Sequence, residues 1–428
     1  MKNRYQAIFL SSLGGGLEYY DFVIYAVFVA SLGQVFFPTQ DPNAQLLAAF
    51  AVFAAGYLVR PVGGLIFSHF GDRFGRRVML RITIGGMAAS TICMALLPGY
   101  AQWGVLATAL FVLLRLVQGL CLGGEIPGAM VLLTEVMPRR RGFVCGCLFG
   151  LLNFGLLLAH AIHWAIITYL PAEDVLRYGW RAAFLLGGAF AVIGFVLRAR
   201  LIESPVFLAM ERVVRKIPIA TLLSKNWRAV LAGVAITAMG ASFVAMIFIY
   251  MNGYLTNVIE YAADPVAFAG LVGVSVFTLM PPLVGAAGDR LGLKPAGIFA
   301  TLVFAAVIVP CYMWILSGQP NILSGIVIAT IFGVSAWGIG APMLTAIFPT
   351  DVRYSGVAVS YNLGFALVGG LTPLLATWLI QHYELHLAPA YLLVFFSALA
   401  FVAFLSLPRG LTSGSNDAAT DSDNPGLV

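Results

Sequence analysis

The chain contains twelve long apolar runs separated by short polar loops. A helix needs about 20 apolar residues to cross a bilayer, and these runs have that length. The predicted segments 1 to 12 are residues 7–37, 44–69, 78–97, 103–134, 143–169, 180–201, 227–258, 265–287, 295–316, 321–348, 354–381 and 389–407. Charged residues make up 10% of the chain, which excludes an ordinary soluble domain. Since lipid cannot satisfy free backbone polar groups, we predict an all-α polytopic membrane protein with twelve transmembrane helices.

Lysine and arginine concentrate on one side of this arrangement. Of the 24 basic residues, 20 lie near the N-terminus, in the loops that follow the even-numbered segments, or after segment 12. Cytoplasmic loops carry such an excess, so we predict that both termini are cytoplasmic. The net charge of +6 then reflects membrane orientation, and we expect no nucleic-acid partner.

The two halves of the chain repeat one loop motif. Gly71-Asp72-Arg73-Phe74-Gly75-Arg76-Arg77 follows segment 2, and Gly288-Asp289-Arg290-Leu291-Gly292-Leu293-Lys294 follows segment 8, 217 residues later. We therefore predict four parts. They are a six-helix bundle (1–201), a cytoplasmic central loop (202–226), a second six-helix bundle (227–408) and a disordered cytoplasmic tail (409–428). The tail shows no heptads, which argues against a coiled coil.

Five further motifs match one transporter family in order and position. They are Glu18-Tyr19-Tyr20-Asp21-Phe22, Arg60-Pro61-Val62-Gly63-Gly64, Arg115 to Glu125 with Gln118-Gly119 inside it, Gly179-Trp180-Arg181, and Tyr361-Asn362. With them the chain resembles the metabolite:proton symporter family of the major facilitators. This resemblance implies proton-driven uptake of a small organic acid, amino acid or betaine across a bacterial inner membrane. It also implies alternating access, with the substrate site between two parallel halves.

Ionisable residues within the segments are candidates for proton coupling. Glu18 and Asp21 lie three residues apart in segment 1, and Arg115 lies at a similar depth in segment 4. Arg60 and Glu125 form a candidate second ion pair nearer the cytoplasm. Three acids against two arginines leave one acid unpaired, so we expect the site to hold about one proton.

Our hypothesis is that protonation of Asp21, with Glu18 as relay or co-acceptor, frees Arg115 to bind a substrate carboxylate. The alternative is that these residues form fixed ion pairs between helices and hold the first bundle together. The proton is the only coupling ion that we expect, and we predict no other cofactor.

Further side chains are candidates for substrate binding. Arg115 and Gln118 share one stripe of segment 4, and Tyr25 lies four residues after Asp21. The second half offers aromatic and amide groups: Tyr250, Tyr254, Trp337, Tyr361 and Asn362. Aromatic faces bind quaternary ammonium groups, although each residue could equally pack against a neighbouring helix.

The repeated loop motif is a candidate cytoplasmic gate. Its glycines allow a tight reversal, and its Asp can sit at a helix N-terminus or pair with Arg. The candidate residues are Asp72, Arg73 and Arg76 in the first copy, and Asp289 and Arg290 in the second. The alternative is that the motif only anchors the loop at the lipid headgroups.

Two histidines in segment 5 form a further candidate site. His160 and His163 could form a metal pair, but no third ligand is evident, and His160 could instead bind substrate or modulate a pH response. We predict no metal site, no ATP hydrolysis and no enzymatic activity, and we expect a monomer. Two other functions stay open, namely a proton-coupled antiporter that exports a polar metabolite, and a membrane sensor derived from a transporter.

Overall fold

The computed structural model describes residues 15–17, 19–64, 66, 76–123, 125–199, 222, 226–349 and 352–408. The predicted central loop and C-terminal tail lie almost entirely outside these residues. Their boundaries therefore remain predictions.

Helices of the first half follow the predicted segments in order. The units are α1, formed by Gly15–Val27 and Val29–Phe36; α2, Ala44–Gly64; α3, Arg76–Leu96; α4, formed by Val105–Cys121 and Glu125–Val136; α5, Arg141–Tyr169; and α6, Trp180–Ala199.

Helices of the second half repeat that order. The units are α7, Trp227–Asn257; α8, formed by Ala263–Leu279 and Pro281–Leu291; α9, Leu293–Leu316; α10, Ile322–Ala346; α11, Ser355–Tyr383; and α12, Ala388–Ser406.

Seven of these helices are long and apolar enough to cross a membrane, and nine are if each bent pair counts as one span. The bent pairs are α1, which turns by 63°, and α8, which turns by 42° before Pro281. The apolar stretches Ile82–Leu96 and Val105–Cys121 are shorter. These counts cover only the described part of the chain, so twelve crossings and cytoplasmic termini stay predictions.

The two halves meet along α2 with α11 and along α5 with α8. Gly142 at the start of α5 and Gly285 in α8 make the closest backbone approach of this interface. A Cβ added at Gly142 would lie 2.1 Å from the carbonyl oxygen of Gly285, and the reverse substitution gives 2.0 Å. Only glycine fits at either position, because two backbones touch there.

Two helices of the second half change their hydrogen-bonding pattern near mid-length. Ala245–Tyr250 of α7 and Phe365–Gly369 of α11 are π-helical. Such turns interrupt the regular ladder of backbone hydrogen bonds and occur frequently at functional sites. Both lie next to the interface between the halves.

Candidate substrate and proton site

A cavity of about 20 Å³ lies between the two halves. Each half contributes five lining residues: Tyr19, Ile126, Phe149, Leu152 and Asn153 from the first, and Val244, Phe277, Trp337, Tyr361 and Phe365 from the second. This volume is enough for about one water molecule. A metabolite therefore needs the halves to separate before it can bind.

The cavity wall is mainly aromatic. Six of its ten residues carry rings, and these rings contact one another across the interface. The rings of Phe149 and Trp337 lie 5.5 Å apart in an edge-to-face arrangement, and those of Tyr361 and Phe365 lie 4.6 Å apart. None of the described lining residues is charged, so the wall suits an apolar or cationic group better than a multiply charged anion.

Asn153 supplies the amide of this wall. Its Nδ2 donates to the carbonyl of Phe277 (3.1 Å), and the hydroxyl of Thr278 donates to its backbone carbonyl (3.3 Å). One N–H of the Asn153 amide already donates to α8, whereas the side-chain carbonyl oxygen can still accept hydrogen bonds from a ligand. It can accept a hydrogen bond from an ammonium or hydroxyl group.

Of the predicted substrate residues, only Trp337 and Tyr361 line this cavity. The other candidates make contacts elsewhere. The hydroxyl of Tyr25 donates to Ala49 (2.8 Å), and the hydroxyl of Tyr254 donates to His386 (2.8 Å). Tyr250 stacks on Tyr254, with 5.4 Å between ring centroids.

Asn362 lies near the cavity but bonds to the opposite half. Its Nδ2 donates to the carbonyl of Gly123 (3.1 Å), where α4 is interrupted. Asn362 thereby connects α11 to α4 at a point where Gly123 packs against the backbone of Arg60, a member of the predicted second ion pair. Its role in substrate binding stays a prediction.

Arg115 is fully buried and points toward α1. Its Nη1 donates to the carbonyl of Phe22 (3.1 Å) and to Oε1 of Gln118 (2.9 Å), while Nε and Nη2 have no partner. Its guanidinium lies 3.9 Å from the ring centroid of Phe22 and 4.4 Å from that of Tyr25. The nearby Gln118 donates in turn to Thr91 (2.7 Å). The arginine is thus held by rings and carbonyl groups.

Asp21 is also fully buried, but it faces a different helix. Neither of its carboxylate oxygens makes a hydrogen bond of normal geometry, and the polar side chain that interacts with it is the hydroxyl of Thr91 on α3. Oδ1 lies against Gly187 of α6, where an added Cβ would approach it to 2.4 Å. The expected ion pair with Arg115 is therefore not formed in this state, because Asp21 turns toward α6 and Arg115 toward the aromatic rings of α1.

Arg60 of α2 lies close to the same aromatic group. Its guanidinium is 5.1 Å from the ring centroid of Tyr57 and 5.7 Å from that of Phe22, and its Nε has no partner. Glu18 and the side chain of Glu125 lie outside the described residues. The second ion pair and the relay role of Glu18 thus stay predictions.

One copy of the repeated loop motif connects the halves at the predicted cytoplasmic end. Asp289 accepts hydrogen bonds from the backbone N–H groups of Gly142 (2.7 Å) and Phe143 (2.9 Å), which begin α5. A carboxylate at a helix N-terminus is favoured by the free N–H groups and the helix dipole. Arg290 is exposed, while Asp72, Arg73 and the side chain of Arg76 lie outside the described residues.

A salt bridge that the sequence did not suggest lies beside this contact. Nη1 of Arg353, two residues before the start of α11, donates to Oε1 of Glu135 in α4 (3.0 Å). We call these contacts, made by Asp289 and by the Glu135–Arg353 pair, the inner closure. They hold the halves together at one end.

The opposite end is also closed. The hydroxyl of Thr168 in α5 donates to Asp264 of α8 (2.5 Å), and Nε2 of His160 lies 3.2 Å from the carbonyl oxygen of Phe248 in α7. We call this pair of contacts the outer closure. Among the described residues, contacts join the halves on both sides of the cavity, and we call this arrangement the occluded state. In the part of the chain that is described, no three potential metal ligands lie together.

The sequence matches known transporters over almost its whole length. Residues 11–360 match the model of the Major Facilitator Superfamily. The chain is 32% identical to a proline/betaine transporter of Salmonella typhimurium, with 97% of this chain and 86% of that protein covered. It is 35% identical to an ectoine/proline transporter of Corynebacterium glutamicum (92% and 82% covered) and 31% identical to a citrate-proton symporter of Klebsiella pneumoniae (95% and 92% covered).

Solved structures share the fold. A D-xylose-proton symporter superposes with a TM-score of 0.74 at 19% identity, covering 94% of this chain and 98% of that one. An inward-open, partially occluded xylose transporter of E. coli gives a TM-score of 0.71 at 18% identity (95% and 97% covered). The relatives and the apolar spans indicate a multi-pass protein of a bacterial inner membrane. The chain therefore belongs to the major facilitator superfamily and, within it, to the metabolite:proton symporter family.

Proposed function

We propose that this protein couples the inward movement of protons to the uptake of a small zwitterionic metabolite by alternating access. The observation that carries this proposal is the buried carboxyl group of Asp21, which makes no hydrogen bond of normal geometry. It lies on α1, next to the residue that holds Arg115. The relatives named as proton symporters support the coupling ion.

Asp21 is the proposed proton carrier because its surroundings are unsuited to a negative charge. A buried carboxylate without well-formed hydrogen bonds or a counter-ion is strongly destabilised, so in the occluded state the group holds a proton. When the site opens to the cytoplasm, water reaches the carboxyl group and stabilises its charged form. The proton then leaves on that side.

Arg115 connects this proton to the rest of the first half. Its Nη1 bonds to the carbonyl of Phe22, which follows Asp21 in the chain. A change in the charge of Asp21 therefore acts on the turn of α1 that also positions the guanidinium. The unpartnered Nε and Nη2 are free to bind a carboxylate, either that of Asp21 after proton release or that of a substrate.

The cavity favours a substrate with an ammonium group. Six aromatic residues offer ring faces of negative potential, and Asn153 offers an acceptor oxygen. A citrate-like anion carries several carboxylates and would need several cationic groups, whereas the described lining residues are uncharged and Arg115 is the one cation proposed to reach a substrate carboxylate. We therefore place this protein closer to its betaine, proline and ectoine relatives than to its citrate relatives.

Proton flux into proteoliposomes tests this proposal. Glycine betaine, proline and citrate are each added to wild type, to Asp21→Asn and to a control, Glu384→Gln, which changes an exposed acid in the loop after α11. We expect betaine or proline, and not citrate, to drive inward proton movement in wild type and control, and the mutant to lose it.

Three outcomes would contradict it. Accumulation against a gradient by Asp21→Asn would remove Asp21 as the carrier. A response to citrate alone would overturn the substrate class. Efflux of a preloaded compound against an inward proton gradient would make the protein an exporter.

A further inference from the structure

A row of buried side chains connects Arg115 to Asp21 through hydrogen bonds. Nη1 of Arg115 donates to Oε1 of Gln118 (2.9 Å), and Nε2 of Gln118 donates to Oγ1 of Thr91 on α3 (2.7 Å). The hydroxyl of Thr91 is in turn the polar group that interacts with the carboxyl group of Asp21. All four side chains are fully buried. We call these four side chains the buried network.

The donors of this network are all directed toward Asp21. A guanidinium group has N–H donors and no acceptor, so Gln118 must receive its bond on the amide oxygen. The amide nitrogen then faces Thr91 and donates to Oγ1. That oxygen accepts the bond and still has one hydrogen to donate.

The single hydroxyl hydrogen of Thr91 has two acceptors within reach. Oγ1 lies 3.0 Å from the carbonyl oxygen of Met87, one turn earlier in α3, and it also interacts with Asp21. A protonated carboxyl group needs no donor, so the hydroxyl then donates to Met87. A charged carboxylate is the better acceptor, because hydrogen bonds to ionised groups are stronger than neutral ones. The hydroxyl therefore turns to Asp21 when the proton leaves.

Ionisation of Asp21 thus adds one bond to the network. The donors then follow one another from a cation to an anion, and hydrogen bonds aligned in this way polarise and strengthen each other. Arg115 is then held firmly on Gln118. When Asp21 is protonated the network ends at Thr91, and the guanidinium group is held less firmly.

The other side of Asp21 is covered by α6. This helix presents Gly187 and the carbonyl of Ala183, which accepts a hydrogen bond from Tyr20 (2.9 Å). Tyr20 precedes Asp21 in α1 and is the titratable group that interacts electrostatically with it in the described part of the chain. Arg181 of α6 donates instead to carbonyl groups at the end of α3. The hydroxyl on α3 is therefore the group that can respond to a change in the charge of Asp21.

We propose that Thr91 and Gln118 are positioning residues through which the proton of Asp21 controls the guanidinium group on α4. A protonated Asp21 releases Arg115 for the carboxylate of the substrate, and a charged Asp21 retains it. Thr91 and Gln118 neither gain nor lose a proton. This role rests on the proposed function and adds the route between its two ionisable groups. Gln118, which the sequence suggested as a substrate-binding residue, then acts on the substrate through Arg115.

The first test needs no substrate. Infrared difference spectroscopy follows the C=O band of protonated Asp21 in the purified full-length protein as the pH is raised, and Asp21→Asn identifies this band by removing it. Loss of a donor disfavours the charged form of a carboxyl group, so we expect the band to persist to higher pH in Thr91→Val and, to a smaller extent, in Gln118→Met. Gln118 bonds to Thr91 and not to Asp21, so its effect requires the network.

Two control variants accompany this measurement. Thr91→Ser retains the hydroxyl and should titrate as the wild type does. Thr134→Val removes a buried hydroxyl of α4 that bonds only within its own helix, and it should also titrate normally. A band that titrates normally in Gln118→Met would end the network at Thr91 and overturn the proposal.

The second test measures the coupling between proton and substrate. The affinity for proline is measured by calorimetry, and we expect it to be about tenfold higher at about pH 6 than at about pH 8 in the wild type. This ratio should fall below about twofold in Thr91→Val and Gln118→Met, and it should be retained in Thr91→Ser and Thr134→Val. A wild-type ratio in both Thr91→Val and Gln118→Met would contradict the proposal.

The two tests distinguish this proposal from the proposed function. If the wild type binds no proline, the proposed substrate class is wrong, and the infrared measurement still decides whether Gln118 acts on Asp21. If the wild type shows the pH ratio and both variants titrate normally, only the network is wrong. The two substitutions break different bonds, so if one variant does not fold, the other decides.

Discussion

Arg115 is held mainly by its planar group. The guanidinium lies between the rings of Phe22 and Tyr25 while Nη1 bonds to two oxygens. Planar stacking and fixed N–H directions are properties that lysine lacks. The sequence predicted the importance of Arg115 from its depth in a membrane segment, but it did not predict the aromatic rings as its partners.

We therefore expect Arg115→Lys to fold but to lose most of its uptake. Loss of stacking and of one directed hydrogen bond costs about 1–3 kcal/mol, which corresponds to a fall of about fivefold to 150-fold in kcat/KM. Initial uptake rates in proteoliposomes measure this, with Arg177→Lys, in the exposed segment before α6, as the control. Unchanged rates would show that charge alone suffices.

Substitutions of Trp337 can show whether the aromatic wall of the cavity binds the substrate. Replacing it by alanine removes one ring face from the cavity, and we expect the KM for a quaternary ammonium substrate to rise about fivefold to thirtyfold. Trp337→Phe should retain part of the affinity, and Trp314→Phe, on the exposed side of α9, should retain all of it. Equal affinity in all three variants would remove Trp337 from the binding site.

Some of the residues that line the cavity could be predicted from the sequence. Trp337 was predicted to bind substrate as an aromatic residue of a membrane segment, and Tyr361 because the family motif includes it. Both line the cavity, while their role in binding stays a prediction. Phe149 and Asn153 were missed as lining residues. Which face of α5 meets α8 and α10 depends on the packing of two halves, and periodicity within one helix does not contain that information.

At the scale of elements, the ends of α4, α5, α8 and α11 form the inner closure. The second loop motif was predicted as a gate, and Asp289 does reach the opposite half. The sequence could not show that its target is the start of α5, because that contact depends on tertiary packing. The π-helical turns were likewise not predicted, since their residues are those of any apolar helix.

The Glu135–Arg353 pair should stabilise the inner closure. Arg353 is 8% exposed and Glu135 is 34% exposed, so the contact is partly shielded from water. We expect Arg353→Gln to favour opening of this end and to increase labelling of a cysteine placed at Phe143, where α5 begins. The exchange Glu135→Arg with Arg353→Glu should restore part of the closure. If the labelling stays at the wild-type level in Arg353→Gln, the pair does not hold the gate.

At the scale of the whole molecule, the described parts of the two halves enclose a small cavity, and contacts join the halves on both sides of it. The order of the helices and the all-α class were predicted from the lengths of the apolar runs, and the internal repeat from the repeated loop motif. The closed arrangement of the halves could not be predicted, because a sequence that supports alternating access is compatible with several arrangements of the same two halves.

A substitution of Gly142 can test whether closure of the inner end is needed for alternating access. Valine at this position would meet the backbone of Gly285, which cannot move aside, so we expect Gly142→Val to prevent closure of the inner end. Uptake should fall to background, while substrate binding measured by calorimetry in detergent persists with the weaker affinity of the open state. Gly85→Val, at a glycine of α3 with open space around its Cβ position, is the control. Normal uptake by Gly142→Val would show that this approach is dispensable.

The equal division of the cavity wall has a consequence for release. Five lining residues come from each half. When either end opens, the substrate keeps the contacts of one wall and loses those of the other. Its affinity must therefore drop as soon as the halves part, whichever side they open to. A ligand that bound chiefly to one half would keep most of its contacts when the halves part and would dissociate slowly. Contacts divided equally between the halves therefore favour fast dissociation and fast turnover.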